Sequence, residues 1–503
     1  MASTLPFNPL KSLPGEKKLA RPETNTKPRE LDIPQKTIAR NMVFSETEVW
    51  AFYRMSSAQF DFESIDMKSA LLHMSAEAYA SLLNLKGESD PIHIFPFTLS
   101  TPLDPNVFLA TSYNQAQALV NPQYDNIMKI QASVLKDANI SLKDAYLGVL
   151  LGERKKFQKV STNSDEEQEE NNLQDAKKAF FEGVKQGSRF LKENAKLFLG
   201  IYSEHVSDTE ERNAAKREKV IQRALRHSIL ACEPLTRDEI LLATKSLVHP
   251  GAPSIPPLEI DPGERVGSHQ IAYEYAHLID NSRNTCLVIT QEYTKATLKK
   301  YVATFTVSQL PEVLEFPRMQ PFAEIANYAV PNASIFARLA IVPNTVMGEA
   351  FSFVRQQHIL EAEDLKKSDE TIQEYGHAGV TELQKSNARL EMLMDENERV
   401  GAPWVRGSIH IRVYGDSYEE LEEQFEILKQ QYRSQNISLR WTRNNQLELF
   451  MSAFPGSSLY VGGITNNHVL SNQFTGYLGL NFAANIGDEL KPNALRDSTA
   501  PRI

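Results

Sequence analysis

His358, Glu361 and Glu363 bring one imidazole and two carboxylates close together, a set that could pass a proton or hold a metal ion on a helix face. With no partner motif beside them, they read as solvated surface charge. The eleven histidines include no H-E-x-x-H pair, and no G-x-S-x-G elbow offers a hydrolase nucleophile. Pro455-Gly456-Ser457-Ser458 does not stand in for such an elbow, and Gly476-Tyr477-Leu478-Gly479 reads as a turn, not a dinucleotide fingerprint. His269, His277 and His410 are isolated, and Glu419, Glu420, Glu422 and Glu423 read as a solvated helix face. A phosphate-binding loop needs clustered glycines, a lysine for the terminal phosphate and a Ser or Thr for magnesium. No Gly-Lys dipeptide occurs in the chain, so Asp280 after His277-Leu278-Ile279 is the end of an apolar segment and not a Walker-B carboxylate. No catalytic, cofactor-binding or metal-ligating residue is expected, and no small-molecule substrate is identified.

The elements that would have to position such residues are clearest between Trp404 and Gly456. Ile409, Ile411 and Val413 alternate with Ser408, His410 and Arg412, the pattern of a half-buried strand. After Gly415-Asp416-Ser417, the residues Leu421, Phe425, Leu428 and Tyr432 recur at helical spacing behind an acidic first turn. Ile437-Leu439-Trp441 and Leu447-Leu449-Met451 alternate as two further strands, joined by Arg443-Asn444-Asn445. Strand, helix, strand, strand suggests a split, ferredoxin-like layer.

Upstream, Asn41–Phe44 and Val49–Arg54 pair around Ser45-Glu46-Thr47-Glu48, and Ile65–Leu85 is a helix with Ile65, Leu72, Tyr79 and Leu83 on its stripe. Ile92–Phe97 is a short strand broken at Pro96, Ile127–Leu142 a helix, and Tyr146–Leu151 a strand. Ala176–Leu199 and Asp208–Leu225 are charged amphipathic helices, and Thr236 with Glu239 forms a capping box ahead of Ile240. Cys286–Thr290, Tyr301–Val307 and Ala333–Val342 are strands, and Val346–Met394 is largely helical.

The fold class is therefore α+β, built from α/β layers in two tandem mixed domains. Residues 1–32 are a disordered proline-rich tail, and 33–249 form the first domain, with an acidic loop near 158–172. A linker and boundary at 250–283 carries Pro250, Pro253, Pro256, Pro257 and Pro262; the second domain spans 284–462 and a tail 463–503. The chain has 503 residues, with 54 basic against 64 acidic side chains and a net charge of −10. That balance argues against direct nucleic-acid binding. Cys232 and Cys286 are too few for a disulfide framework and suit a reducing cytosol. The N-terminus lacks the apolar region of a signal peptide, and no window approaches the roughly 20 apolar residues of a membrane span. A cytoplasmic chain that reaches the inner face of the membrane through partners is the expectation.

Asn41-Met42-Val43-Phe44 with Glu48-Val49-Trp50-Ala51-Phe52-Tyr53-Arg54 resembles the opening strands of the VirB-type ATPases of type IV secretion and conjugative transfer, closest to the TrsE-like members. Tyr301 to Pro311 is similar to that family's central strand ending in proline. Ser408–Leu428, then Gln446–Phe450 and Phe454-Pro455-Gly456, resemble the strand, helix and exit that precede its motor domain. The resemblance runs from about Ile33 onward and implies the pre-motor half of such an ATPase, docking on membrane subunits of a transfer channel. In the family's layout a RecA-like motor would begin at about Ile503, so none of the family's catalytic residues has a counterpart here. ATP hydrolysis by this chain alone is not expected. Two alternatives stand beside it: half of a split active ATPase whose motor is a separate chain, or a free-standing cytoplasmic scaffold; self-association is compatible with each.

Overall fold

A computed structural model of the chain describes residues 35–56, 63–85, 91–102, 141–158, 206–248, 266–267, 278–280, 283, 285–293, 296–311, 320–330, 332–348, 403–442, 445–457, 468–471 and 473–478, with isolated positions at 130, 133, 351, 356–357, 360, 388 and 391. Outside the described residues lie the expected N-terminal tail, most of the acidic loop, and Ala176–Leu199; the expected tail at 463–503 is described only at 468–471 and 473–478, a strand and a helix. So do most of Ile127–Leu142, most of the proline-rich boundary, and most of Val346–Met394. His269, His277, His358, Glu361 and Glu363 also lie outside them.

The first strands are β1 (Thr37–Ala39), β2 (Met42–Phe44) and β3 (Glu48–Arg54), paired antiparallel; the β2–β3 pair is the one its β-formers predict, and β1 was not expected. Helix α1 (Ile65–Ala80) starts where the Ser64 hydroxyl accepts the Met67 amide and runs into a 3-10 turn at Ser81–Leu85. Leu72 and Tyr79 are buried, but Ile65 is exposed, because the helix meets the core only from its second turn onward. Strand β4 (Ile92–Pro102) continues straight through Pro96. Proline lacks an N–H to donate, and the pairing with β11 (Ser334–Val342) passes over it, from Phe336↔Phe97 to Leu339↔Ile94.

The remaining strands are β5 (Ser141–Glu153), β6 (Glu233–Pro234), β7 (Val266–Gly267), β8 (Leu278–Asp280), β9 (Leu287–Tyr293), β10 (Ala296–Gln309), β12 (Trp404–Gly415), β13 (Ser438–Trp441) and β14 (His468–Ser471). They form one antiparallel sheet in the order β7-β1-β2-β3-β5-β4-β11-β12-β10-β9-β8, with β6, β13 and β14 set alongside β3, β10 and β12. The pairing of β4 with β11 joins the early part of the chain to the late part within that sheet. The fold is α+β.

Helices cover both faces. On one lie α1, α3 (Asp208–Arg226), α5 (Phe322–Ala329), α6 (Tyr418–Arg433) and α8 (Gln473–Tyr477), over a core that includes Tyr53, Phe305, Ile411 and Tyr432. A short α2 (Arg154–Gln158) packs at the edge of α3. The other face is covered by α4 (Arg237–Val248) and α7 (Gln446–Ser452), over Trp50, Phe52, Phe95, Phe97 and Phe336. Covering both faces explains why Ser408, His410 and Arg412 are buried along with Ile409, Ile411 and Val413. The expected half-buried strand is buried on both sides.

Strands β12 and β13 both run antiparallel to β10 and are joined by α6, so they are parallel with β10 between them. That is the split strand–helix–strand arrangement. The expected fourth strand is instead the helix α7: Gln446, Leu449, Phe450 and Ala453 are buried at helical spacing, and the alternation of Leu447, Leu449 and Met451 is secondary to it. The Gln446 carboxamide then does what a strand would have done. Its Oε1 accepts the Thr304 amide at 2.8 Å and its Nε2 donates to the Thr304 carbonyl at 3.0 Å. Thr304 lies where β9 has left β10, at Val302, and β13 has not yet joined it, at Phe305.

Candidate functional site

Two groupings of charged residues stand out, one inside the fold and one on its surface. The inner one occupies the face under α4 and α7, on adjacent strands β10, β11 and β12. Arg338 is buried and spends its guanidinium on the end of α7: Nε donates to the Ser452 carbonyl at 3.2 Å and Nη2 to the Phe454 carbonyl at 3.0 Å. Arg412 reaches the Leu247 carbonyl in the last turn of α4. Each cation thus serves a helix C-terminus, where unpaired carbonyls and the negative end of the dipole favour it. Phe95 lies 3.6 Å below the Arg338 guanidinium and Phe450 lies 4.5 Å from that of Arg412.

Burial holds both guanidinium groups down to about 9, far below an arginine's ordinary range. Glu48, which accepts the Trp50 indole N–H at 2.9 Å, is pushed up by burial, and the Arg338 charge works against that rise. His410 stacks on Phe336 at 4.9 Å; its Nδ1 is bonded to Thr306 Oγ1 at 3.1 Å and its Nε2 to Ser408 Oγ at 3.0 Å. Both ring nitrogens are thus engaged by hydroxyls, and the imidazole is buried. This seam fixes α4 and α7 to the sheet.

The outer grouping belongs to α3, which the Ser207 hydroxyl caps by accepting the Glu210 amide at 3.2 Å, an interaction of about 1 kcal/mol. The helix turns Glu210 and Glu218 inward. Glu210 pairs with Arg154 at 2.6 Å, with both side chains buried. Glu218 accepts Asn41 Nδ2 at 2.9 Å and the Tyr53 hydroxyl at 3.1 Å, and Glu211 pairs with Arg40 at 3.0 Å. Arg212, Lys216, Lys219, Arg223 and Arg226 face outward, all exposed, and none joins an ion pair among the described residues. Arg40, the first residue of the β1–β2 turn, holds a φ of 56° that a non-glycine residue rarely adopts. Between that turn and α3 is a surface cavity of about 530 Å³, walled by Arg40, Arg212, Lys216 and Lys219 with Asp208 and Glu211.

Of the positions weighed in the sequence, His410 is buried on β12 between Thr306, Ser408 and Phe336. Glu420 is not merely solvated: it accepts the Asp416 amide at 2.7 Å and so holds the turn before α6. Glu419, Glu422 and Glu423 are exposed on that helix. Gly476 lies in α8 against α1, where a Cβ would stand 2.1 Å from the Leu72 carbonyl oxygen, so its glycine serves close packing. Cys232 and Cys286 are both buried thiols, and burial pushes the Cys232 thiol up to about 12. Among the described residues no group of His, Cys, Asp and Glu could hold a metal ion, and no helix is long and apolar enough to cross a membrane. The basic row on α3 escaped the sequence reading, which took Asp208–Leu225 only as a charged amphipathic helix. Its signal was the 4-3-4-3 spacing of Arg212, Lys216, Lys219, Arg223 and Arg226, with Arg217 off the row. No protein-family model matches the chain, and no curated protein matches it.

Proposed function

We propose that the chain is the non-motor, partner-binding portion of a conjugative type IV secretion ATPase, docking on inner-membrane subunits of the transfer channel. The observation that carries the reading is the order of the VirB-like blocks along a chain that has no Gly-Lys dipeptide. Their spatial neighbourhood is compatible with it. The Phe454-Pro455-Gly456 exit returns to the opening strands: Gln35 Nε2 donates to the Pro455 carbonyl at 2.9 Å, and Gly456 lies against Val43. The channel-facing role rests on exposed charge and not on the buried seam. Deleting the gene in cells that carry a complete transfer region is expected to abolish DNA transfer, with recovery when the intact chain is supplied in trans. Undiminished transfer in the deletion strain would sink the reading.

A further inference from the structure

We infer that the outer face of α3 is a docking surface for an acidic helical segment of a protein partner. This deepens the partner-binding role proposed above and rests on it. The five cations Arg212, Lys216, Lys219, Arg223 and Arg226 recur every 3.5 residues on average and form one row about 21 Å long at the helical rise. Glu210 and Glu218 are turned away from that row and engaged by Arg154, Asn41 and Tyr53, while Glu211 pairs with Arg40 at the edge of the cavity. Among the described residues the positive charge is densest from Lys216 to Arg226, beyond the carboxylates of Asp208 and Glu211 at the head of the helix, on a chain whose net charge is −10.

The spacing selects the occupant. A partner helix with Asp or Glu at alternating three- and four-residue steps has the same axial repeat, about 5 Å, so the two rows stay in register along their length. A nucleic-acid strand would run off the row onto an otherwise acidic protein, where its phosphates are repelled. A planar anionic membrane would meet one line of charge on a convex helix and leave the cavity beside Arg40 unused. That cavity, about 530 Å³ between the β1–β2 turn and the first half of α3, seats one end of an acidic segment.

Fluorescence anisotropy of a labelled helical peptide with glutamates at heptad spacing, titrated with the full chain, tests the assignment. Binding is expected, weakened about tenfold or more by the combined substitutions Lys216→Glu, Lys219→Glu and Arg223→Glu, and weakened by added salt. The glutamine versions of the same three substitutions, with unchanged circular dichroism, guard against a folding artefact and are expected to weaken binding to a lesser degree. Equal binding of a peptide with the same composition in scrambled spacing overturns the inference. So does tighter binding of phosphatidylglycerol vesicles or of a single-stranded oligonucleotide. Peptide binding that fails while the chain still retrieves channel subunits from cells removes this inference and leaves the proposed function standing.

Discussion

Arg338 shows how a charge can be buried without doing chemistry. Its guanidinium ends α7, stacks on Phe95 and sits near Glu48, and each contact exists only because residues far apart in sequence meet. Arg338→Met keeps the volume but strips the Ser452 and Phe454 carbonyls of their donor. A loss of about 1–3 kcal/mol per stranded carbonyl is expected in chemical denaturation. A variant as stable as the parent would mean that the cap contributes little. Lys143, on β5, is held down to about 7 by burial. Its folded value lies below the unfolded one, so the unfolded chain binds more protons between pH 7 and pH 10.5 and stability rises with pH across that window. Lys143→Met is therefore expected to stabilise the protein more at pH 6 than at pH 9, read from denaturation midpoints. A pH-independent difference would contradict the burial account. The alternation that places Arg412 and His410 opposite Ile409 and Ile411 was legible in the sequence. Their burial was not, because it depends on α4 and α7 arriving from elsewhere.

Elements fixed by local chemistry were the legible ones. Thr236 and Glu239 form the expected capping box, the threonine hydroxyl accepting the Glu239 amide at 3.3 Å and the carboxylate accepting the Thr236 amide at 2.7 Å. Helix α6 buries Leu421, Leu428 and Tyr432 as its spacing requires. Strand β4 was misread only in its length, since it runs through Pro96; the element whose type was misread from sequence was α7, where period two and period 3.6 compete over seven residues. The tertiary pairing of Gln446 with Thr304 decides between them. Gln446→Leu removes those two bonds and a third to the Thr442 carbonyl, leaving β10 with an unpaired gap. A destabilisation of about 2–4 kcal/mol is expected. Hydrogen exchange should show faster exchange at the Thr304 amide, and protection equal to the parent's there would contradict the strand-like role of the side chain.

At the scale of the molecule, one antiparallel sheet with a core on each face brings β1–β3, β10 and the Phe454-Pro455-Gly456 segment together. Strand order is not written in local periodicity. The path from β4 to β11 crosses more than two hundred residues, and only the completed sheet reveals it. Charge sorting is likewise a property of the whole: Glu210 and Glu218 of α3 turn inward only once β1, β2, β3 and α2 are in place. The central claim is that the chain works by binding. Its most direct test is retrieval of the tagged full chain from cells expressing the membrane subunits of the transfer channel. Those subunits are expected to co-purify stoichiometrically, in a complex that weakens when Lys216, Lys219 and Arg223 are reversed in charge. Recovery of the chain without any of them would contradict it.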